Sequence, residues 1–130
     1  VEWEYACRSR GKDQEYCGGK NIDKLGWYDE ISGETTHPVG QKKSNGLGLY
    51  DMSGNVMEWC SVWFDVTGYD ANIRNNPTGP AIGRYRVFRG GSWYTSAENA
   101  KSAARYRAMP GFKDDYVGFR LALPVGPDGR

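Results

Sequence analysis

Apolar positions along the chain fall into short runs separated by long polar stretches rich in glycine. The first run, "VEWEYACRSR", carries apolar or aromatic residues at Val1, Tyr5 and Cys7 among helix-forming residues, and Gly11 closes it. This spacing predicts the end of a helix. From Lys12 to Lys43 the chain is mostly polar, which predicts a long loop with one short strand in "LGWYDEI".

Three later segments have the aromatic and β-branched composition of strands: "VMEWCSVWF", "RYRVFRGGSW" and "VGFRLAL". In the second of these, the pair Gly90 and Gly91 is the expected position of a bulge. Turn-forming residues in "SNGLGLYDMSGN" predict a series of turns before the first strand. The stretch "ENAKSAARYRAM" stays ambiguous, because its composition favours a helix whereas its apolar pattern is weak.

Composition narrows the fold class. In 130 residues there are 18 glycines, and 14% of the chain is aromatic, which indicates one loop-rich α+β domain held together by Trp and Tyr packing. We expect this domain to span residues 1–123, with a flexible tail over residues 124–130. Because the chain begins Val-Glu-Trp-Glu without a signal peptide, we expect it to be part of a longer parent chain whose N-terminal portion is missing here.

Charge and hydropathy restrict the partners. A net charge of +1, from 17 basic and 16 acidic residues, gives no support for binding to nucleic acid. No apolar run reaches the roughly 20 residues that a membrane span requires. We therefore expect a soluble domain that binds a protein or a small molecule of unknown identity. The compartment stays open, and secretion or display on the cell surface through a missing signal is one alternative.

The three cysteines, Cys7, Cys17 and Cys60, leave at least one thiol unpaired. A disulfide between Cys7 and Cys17 and a fully reduced chain both remain open. With His37 as the sole histidine and no C-x-x-C motif, a zinc site is not expected. His37 is predicted to make a loop hydrogen bond, and Cys60, in a predicted strand, to be a buried and unreactive thiol.

Four phrases together resemble one family: "EWEYACR", "GLGLYDMSGNVMEWC", "RVFRGGSW" and "GFRLAL". Their order and spacing are similar to those of the sulfatase-modifying-factor, or formylglycine-generating-enzyme, domain. The resemblance implies a C-type lectin-like fold with small antiparallel sheets, few helices and much irregular loop. It also implies a strand within the ambiguous alanine-rich stretch.

The resemblance bears on catalysis as well. Catalytic members of the family use copper held by two cysteines, and the corresponding positions fall at about Thr95 and Ala100. Since neither side chain can ligate copper, we expect no copper and a non-catalytic domain. The alternative is a sulfatase-maturing (formylglycine-generating) oxidoreductase, or another oxygen-using enzyme, whose metal ligands lie outside this chain.

The same resemblance implies a calcium site in the "SGNVMEW" turn, with ligands from Asn55, Val56 and Glu58. Calcium prefers hard oxygen ligands, including backbone carbonyls on irregular turns. The alternative is that Asn55 and Glu58 only stabilise the turn.

A binding face is expected in the segment 93–116. Some relatives with this fold are ligand-binding variable proteins diversified by retroelements, and their variable segment runs between phrases like "GGSW" and "GFRL". Rigid aromatics among small polar residues also suit a binding surface. The candidate residues are Tyr94, Thr95, Ser96, Glu98, Asn99, Lys101, Arg105, Arg107, Phe112, Lys113 and Tyr116.

Two further expectations concern the framework around that face. The arginines of this region either bind an anion or pair with Asp114 and Asp115 to pin loops, and Arg120 is expected to be structural. Trp93 and Phe119 are expected to be needed for folding.

Overall fold

The computed structural model describes residues 1–66 and 79–123. Within them the chain forms short elements joined by long loops. In chain order these are helix α1 (Glu2–Cys7), a 3-10 helix (Ile22–Lys24), helix α2 (Asp29–Ser32), strand β1 (Met57–Trp63), strand β2 (Arg86–Arg89), a second 3-10 helix (Ala97–Ala100), strand β3 (Tyr106–Ala108) and strand β4 (Val117–Gly118).

The four strands form one mixed sheet in the order β3-β2-β1-β4. Strand β2 pairs antiparallel with both β1 and β3, whereas β4 pairs parallel with β1. The expectation of purely antiparallel pairing is therefore corrected at β4. The pairing of β1 with β2 is irregular between Trp59 and Trp63, whereas Gly90 and Gly91 follow β2 with positive φ angles. The irregularity therefore lies in the pairing of β1 with β2, earlier in the chain than the bulge predicted at Gly90 and Gly91.

The predictions for helix α1 and for a strand in the alanine-rich stretch are confirmed, whereas a third prediction is not. Helix α1 ends before Gly11 as expected, and β3 forms within the alanine-rich stretch that propensity left ambiguous. The prediction of a strand in "LGWYDEI" is wrong. Residues Asp29–Ser32 form a helical turn that ends at Gly33, whose φ of 65° reverses the chain.

The C-terminal strand is shorter than predicted. Only Val117 and Gly118 pair with β1, and the following residues leave the sheet edge. Phe119 is 73% exposed, so the expectation that it belongs to the core is wrong for this chain. The predicted tail over residues 124–130 lies outside the described residues.

The core is divided into small clusters around the loops. One joins Tyr16, Ile22, Leu25, Tyr28 and Ala100, and a second joins Cys7, Cys17 and Met52. Val87 and Phe88 of β2 are also buried. Aromatic and disulfide contacts therefore hold together a chain with little regular structure.

The structure pairs Cys7 with Cys17, with Cα atoms 4.4 Å apart. This selects the disulfide from the two alternatives that the sequence left open, and it ties the end of α1 to the first loop. Cys60 remains a free thiol and is half-buried rather than fully buried. Burial raises the pKa of this thiol, which lowers its reactivity.

Residues 51–56 form a turn, called the central turn below, that lies between two other loops. The amide of Gly54 donates to the carbonyl of Gly90 at 2.7 Å, and the amide of Asn55 donates to Trp27 O at 2.7 Å. A Cβ atom added at Gly54, whose φ is +86°, would lie 2.2 Å from the carbonyl oxygen of Trp27. Only glycine fits this approach, so the loops meet backbone against backbone.

No helix among residues 1–66 and 79–123 is both long enough and apolar enough to cross a membrane.

Candidate functional site

Four aromatic side chains of the predicted binding segment lie next to one another; we call Trp93, Tyr94, Phe112 and Tyr116 the aromatic shelf. The rings of Tyr94 and Tyr116 are stacked, with centroids 5.9 Å apart and planes at 22°. Trp93 lies edge-on to Tyr94 at 5.5 Å, and Phe112 lies 6.2 Å from Tyr116. Tyr94 is 65% exposed, so the stacked pair presents a rigid aromatic surface to solvent.

Backbone contacts hold the shelf on the fold. The amide of Trp93 donates to the carbonyl of Asn55 in the central turn at 2.8 Å, and the hydroxyl of Ser32 donates to the Trp93 carbonyl at 2.8 Å. At the other end of the shelf, Phe112 contacts the buried ring of Phe88 at 6.0 Å. The shelf is thus joined to helix α2, the central turn and the sheet.

Burial and the neighbouring Asp114 carboxylate raise the pKa of Tyr116. The Tyr116 hydroxyl also forms a side-chain hydrogen bond with Asp114, which ties the shelf to the loop that carries this carboxylate.

Some polar candidates of the segment bond to other residues of the fold, whereas others are exposed on its surface. Thr95 accepts a hydrogen bond from the amide of Ser92 at 2.8 Å, and Asn99 accepts one from the Tyr106 hydroxyl at 2.7 Å. Lys101 lies between Glu98 and Glu15, at 2.8 and 3.2 Å. The hydrogen bonds that Lys101 donates to these two carboxylates raise its pKa. Thr95, Asn99 and Lys101 therefore stabilise the segment itself.

Surface positions remain beside them. Ser96, Glu98 and Lys113 are exposed, which leaves them accessible to a ligand.

Arg105 and Arg107 lie on the opposite side of the sheet from the shelf, because successive residues of a strand point to opposite faces. Tyr106 pairs with Phe88, whose ring contacts the shelf, whereas Arg107 pairs with Val87 and so projects from the other face. Arg105 and Arg107 both lie against Phe64, at 5.1 and 4.9 Å from its ring centroid. The predicted site is therefore two surfaces rather than one.

The framework expectation for Arg120 is supported by its contacts. Its guanidinium makes hydrogen bonds of 2.6–2.9 Å to both oxygens of Glu58, which is 5% exposed, and it also donates to the carbonyl of Tyr50. Trp3 of α1 donates to the same carboxylate at 2.6 Å. Burial alone would lower the pKa of Arg120, but the bonds to Glu58 outweigh it and the pKa is raised.

A second ion pair fixes α1 to the sheet. Arg89 is 1% exposed and donates to Glu4 at 2.7 Å, and it also donates to the carbonyls of Ser102 and Ala104. Burial opposes ionisation of Glu4, but hydrogen bonds from Arg89 and Arg8 hold its pKa below the ordinary value.

The residues predicted to bind calcium line one open cavity of about 430 Å³. Asn55 is a poor ligand as placed, since its side-chain oxygen accepts the His37 amide and its amino group donates to the His37 carbonyl. Glu58 is also occupied, by Arg120 and Trp3. Asp51 was not among the ligands predicted from the sequence. This residue lies in the same cavity, is 9% exposed, and has one carboxylate oxygen, Oδ1, that is buried without a hydrogen-bond partner.

Nowhere in the described ranges do three His, Cys, Asp or Glu side chains converge as metal ligands. A cation at this turn would therefore need backbone carbonyls in addition to Asp51. A buried carboxylate oxygen without a partner is costly, and a calcium ion would supply the missing interaction.

His37 makes the loop contacts predicted for it. Its Nε2 lies 2.6 Å from the carbonyl of Ser32, and its ring stacks on Trp27 with centroids 3.7 Å apart. The histidine therefore supports the loop that carries the central turn.

The positions assigned to the copper-binding cysteines lie within the framework. Ala100 is fully buried, and its carbonyl accepts a hydrogen bond from Ser53. The Thr95 hydroxyl is engaged with Ser92. Neither position carries a thiol.

A short mixed sheet, few helical turns and long interlocked loops that present an aromatic surface define a lectin-like domain. Comparison with known proteins identifies it further: residues 1–125 match the sulfatase-modifying factor enzyme 1-like (FGE-sulfatase) domain, and the chain belongs to this family.

The relatives include proteins of different kinds. The chain is 40% identical over 127 residues to the serine/threonine-protein kinase pkn1 of Chlamydia caviae, and it is 35% identical over 139 residues to the formylglycine-generating enzyme of Streptomyces coelicolor. These matches cover 96% and 94% of this chain, but only 20% and 44% of those proteins.

Among solved structures, Treponema denticola variable protein 1 superposes with a TM-score of 0.81 at 38% identity. That match covers 91% of this chain and 43% of the variable protein. CarF superposes with a TM-score of 0.69 at 30% identity. The C-type lectin-like fold expected from the sequence is confirmed by these neighbours.

Proposed function

We propose that this chain is a non-catalytic, ligand-binding domain of the family, and that the aromatic shelf is its binding surface. The observation that carries the proposal is the stacking of the exposed Tyr94 on the half-buried Tyr116, beside Trp93, whose amide bonds to the central turn. Rigid aromatic side chains give large contact area at low entropic cost. Ser96, Glu98 and Lys113 supply the adjacent polar contacts.

A binding screen of the full-length protein against arrays of proteins and glycans tests this function. A ligand found in the screen should be lost when both Tyr94 and Tyr116 are changed to Ala. Tyr5→Ala removes another exposed tyrosine, from α1, and is the matched control. Binding that survives the double substitution would overturn the proposal.

The similarity to a variable protein supports a further part of the proposal, that the segment 93–116 is diversified by a retroelement. In that case a reverse-transcriptase gene and a copy of this segment should lie near the parent gene. Independent isolates should also differ at Tyr94, Ser96 and Lys113 more than at Trp93. Isolates that are identical throughout the segment would indicate a binding domain of fixed specificity.

The curated relatives that are formylglycine-generating enzymes favour the alternative of an oxygen-using enzyme. Its metal ligands would have to come from parts of the parent protein outside this chain, because Thr95 and Ala100 carry no thiol. Copper titration of the full-length protein, with an assay for formylglycine on a sulfatase peptide, separates the two functions. Stoichiometric copper and turnover would establish the enzyme.

Calcium is proposed as a structural ion of the central turn, with Asp51 as its anchoring carboxylate and the carbonyl of Val56 beside it. The unpartnered Oδ1 atom of Asp51 supports this placement. Glu58 could join the ion only by releasing a bond from Arg120 or Trp3.

The disulfide supports a proposal about location. A Cys7–Cys17 bond is typical of oxidising compartments, so we propose that the parent protein is secreted or displayed at the cell surface.

A further inference from the structure

A second surface lies on the face of the sheet opposite the aromatic shelf. There, Arg107 of β3 lies 5.1 Å from the ring centroid of Tyr85 and 4.9 Å from that of Phe64. Arg84 lies 5.4 Å from the same Tyr85 ring. We call Arg84, Tyr85, Arg107 and Phe64 the arginine ladder, since guanidinium groups and rings alternate along it.

The rings position the guanidinium groups without neutralising them. Contact with an aromatic face restrains a guanidinium and leaves its N–H edge available to pair with an oxyanion. Arg84 and Arg107 are both exposed, and neither forms an ion pair with a carboxylate of residues 1–66 or 79–123. Their charge is therefore presented to solvent.

Positive charge is concentrated around the ladder. Arg105 lies against the Phe64 ring as well, and residues 79–97 contain no acidic residue. Arg89 of this stretch is buried and paired with Glu4, so it does not add to this charge. Arg86 is oriented differently: it lies 3.5 Å from the Trp63 ring and donates to the Ser61 carbonyl. Asp65 follows Phe64 in the sequence and brings one negative charge, against the three positive charges of Arg84, Arg105 and Arg107.

The ladder lies at a sheet edge. Strand β3 is last in the order β3-β2-β1-β4 and, among the described residues, pairs only with β2. The outer edge of a strand offers amide and carbonyl groups that an extended peptide can pair with. Because Arg107 belongs to β3 itself, a peptide on that edge would pass directly beside the ladder.

We propose that the arginine ladder and the outer edge of β3 together form a docking surface for an acidic, extended segment of a partner protein. Carboxylates of the segment pair with Arg84 and Arg107, while its backbone adds to β3. A protein segment fits better than a free anion because Arg84 and Arg107 are both exposed, so a small anion would be poorly enclosed. This surface is separate from the aromatic shelf and does not depend on the function proposed for it.

The test uses calorimetry on the full-length protein with a blocked decapeptide of alternating Glu and Thr as the probe. Each exposed charge pair contributes modestly, so Arg84→Gln and Arg107→Gln should each weaken binding about threefold to fivefold. Raising the salt concentration from about 0.1 M to about 0.5 M shortens the electrostatic screening length about twofold. The higher salt should therefore weaken binding of the peptide further. Lys20→Gln removes an exposed positive charge elsewhere and should leave affinity unchanged.

Three other probes separate the alternatives. The Lys and Thr version of the peptide should not bind, and a Glu and Thr peptide methylated on alternate backbone nitrogens should bind more weakly. Inorganic sulfate should compete only weakly with the peptide. Equal binding of the acidic peptide to the protein and to the Arg84→Gln, Arg107→Gln double variant would overturn the proposal, as would sulfate binding as tightly as the peptide. Loss of shelf binding through Tyr94 and Tyr116 would affect neither result.

Discussion

Two ion pairs, each with one buried partner, tie other segments to the sheet: one fixes α1 to β2, and the other fixes the segment after β4 to β1. Glu4 pairs with Arg89, which is almost completely buried, and Glu58 pairs with Arg120. Removing one partner of a buried pair leaves an uncompensated charge, which typically costs about 3–5 kcal/mol. These four charged side chains are therefore expected to stabilise the fold rather than to bind a ligand.

The first prediction concerns the pH dependence of the Glu4–Arg89 pair. The folded protein holds the pKa of Glu4 below its ordinary value of 4.5, so the pair stabilises the protein fully above that value. This stabilisation is lost as the pH falls through the lowered pKa. The melting temperature of Glu4→Gln should lie well below that of the unmodified protein at pH 7, and the gap should narrow below about pH 4.

Glu2→Gln is the control, because Glu2 is an exposed acid on the same helix. It should leave the midpoint nearly unchanged across the whole range. A gap between Glu4→Gln and the unmodified protein that stays constant down to pH 3 would contradict the assignment.

The second prediction concerns calcium at Asp51. If an ion binds there only in the folded state, a chelator should lower the melting temperature by mass action. Asp51→Asn should abolish that response, whereas Asn55→Asp should not enhance it, because the Asn55 side chain is engaged with His37. A midpoint that does not respond to chelator would show that the central turn folds without the ion.

At the scale of elements, the sheet supplies the stability and the shelf segment supplies the surface. Phe88 of β2 is 3% exposed, and truncating it to Ala should lower the free energy of unfolding by about 3–5 kcal/mol. Replacing Tyr94, Ser96, Glu98 and Lys113 together by Ala should cost far less, since each exposed change usually stays within about 0.5 kcal/mol. Denaturant unfolding of the two variants measures the difference. A shelf variant as unstable as Phe88→Ala would place the segment in the core.

The strands also show how far the sequence could predict the fold. Strand β1 was predictable, because "VMEWCSVWF" combines aromatic and β-branched residues and no competing signal. Strand β3 was predicted only through the family resemblance, since Ala and Arg favour a helix by propensity and pairing with β2 makes Tyr106–Ala108 extended. Phe119 was misjudged for a related reason: its apolar side chain predicts burial, but the strand that carries it leaves the sheet after Gly118.

The candidate site was predictable in composition but not in arrangement. The stacking of Tyr94 on Tyr116 joins residues that are distant along the chain, and sequence spacing gives no angle or distance between them. Arg105 and Arg107 were assigned to the binding face because they lie within the segment 93–116. The two-residue period of a strand instead sends Arg107 to the opposite side. Asp51 was missed because an unpartnered carboxylate oxygen is visible only in three dimensions.

At the scale of the whole molecule, the disulfide closes a short loop in a chain with a divided core. A loop with a sequence separation of 10 residues is expected to contribute about 2–3 kcal/mol by restricting the unfolded chain. Alkylation in denaturant without reductant, followed by peptide mass spectrometry, should modify Cys60 alone within this chain. Cys7→Ser with Cys17→Ser should lower the melting temperature, whereas Cys60→Ser should not. Alkylation of all three cysteines would contradict the pairing and the proposed oxidising compartment.

The central turn has a consequence for how this protein can change over generations. The shelf is attached through the amide of Trp93 and the carbonyl of Asn55, and the turn beneath it through the amides of Gly54 and Asn55. These bonds involve main-chain atoms, which every amino acid except proline supplies alike. A mutation that exchanges Tyr94 or Ser96 for another residue therefore alters what the surface recognises and leaves its attachment intact. The same arrangement makes Gly54 close to irreplaceable, so tolerance to change at the surface coincides with intolerance a few ångströms beneath it.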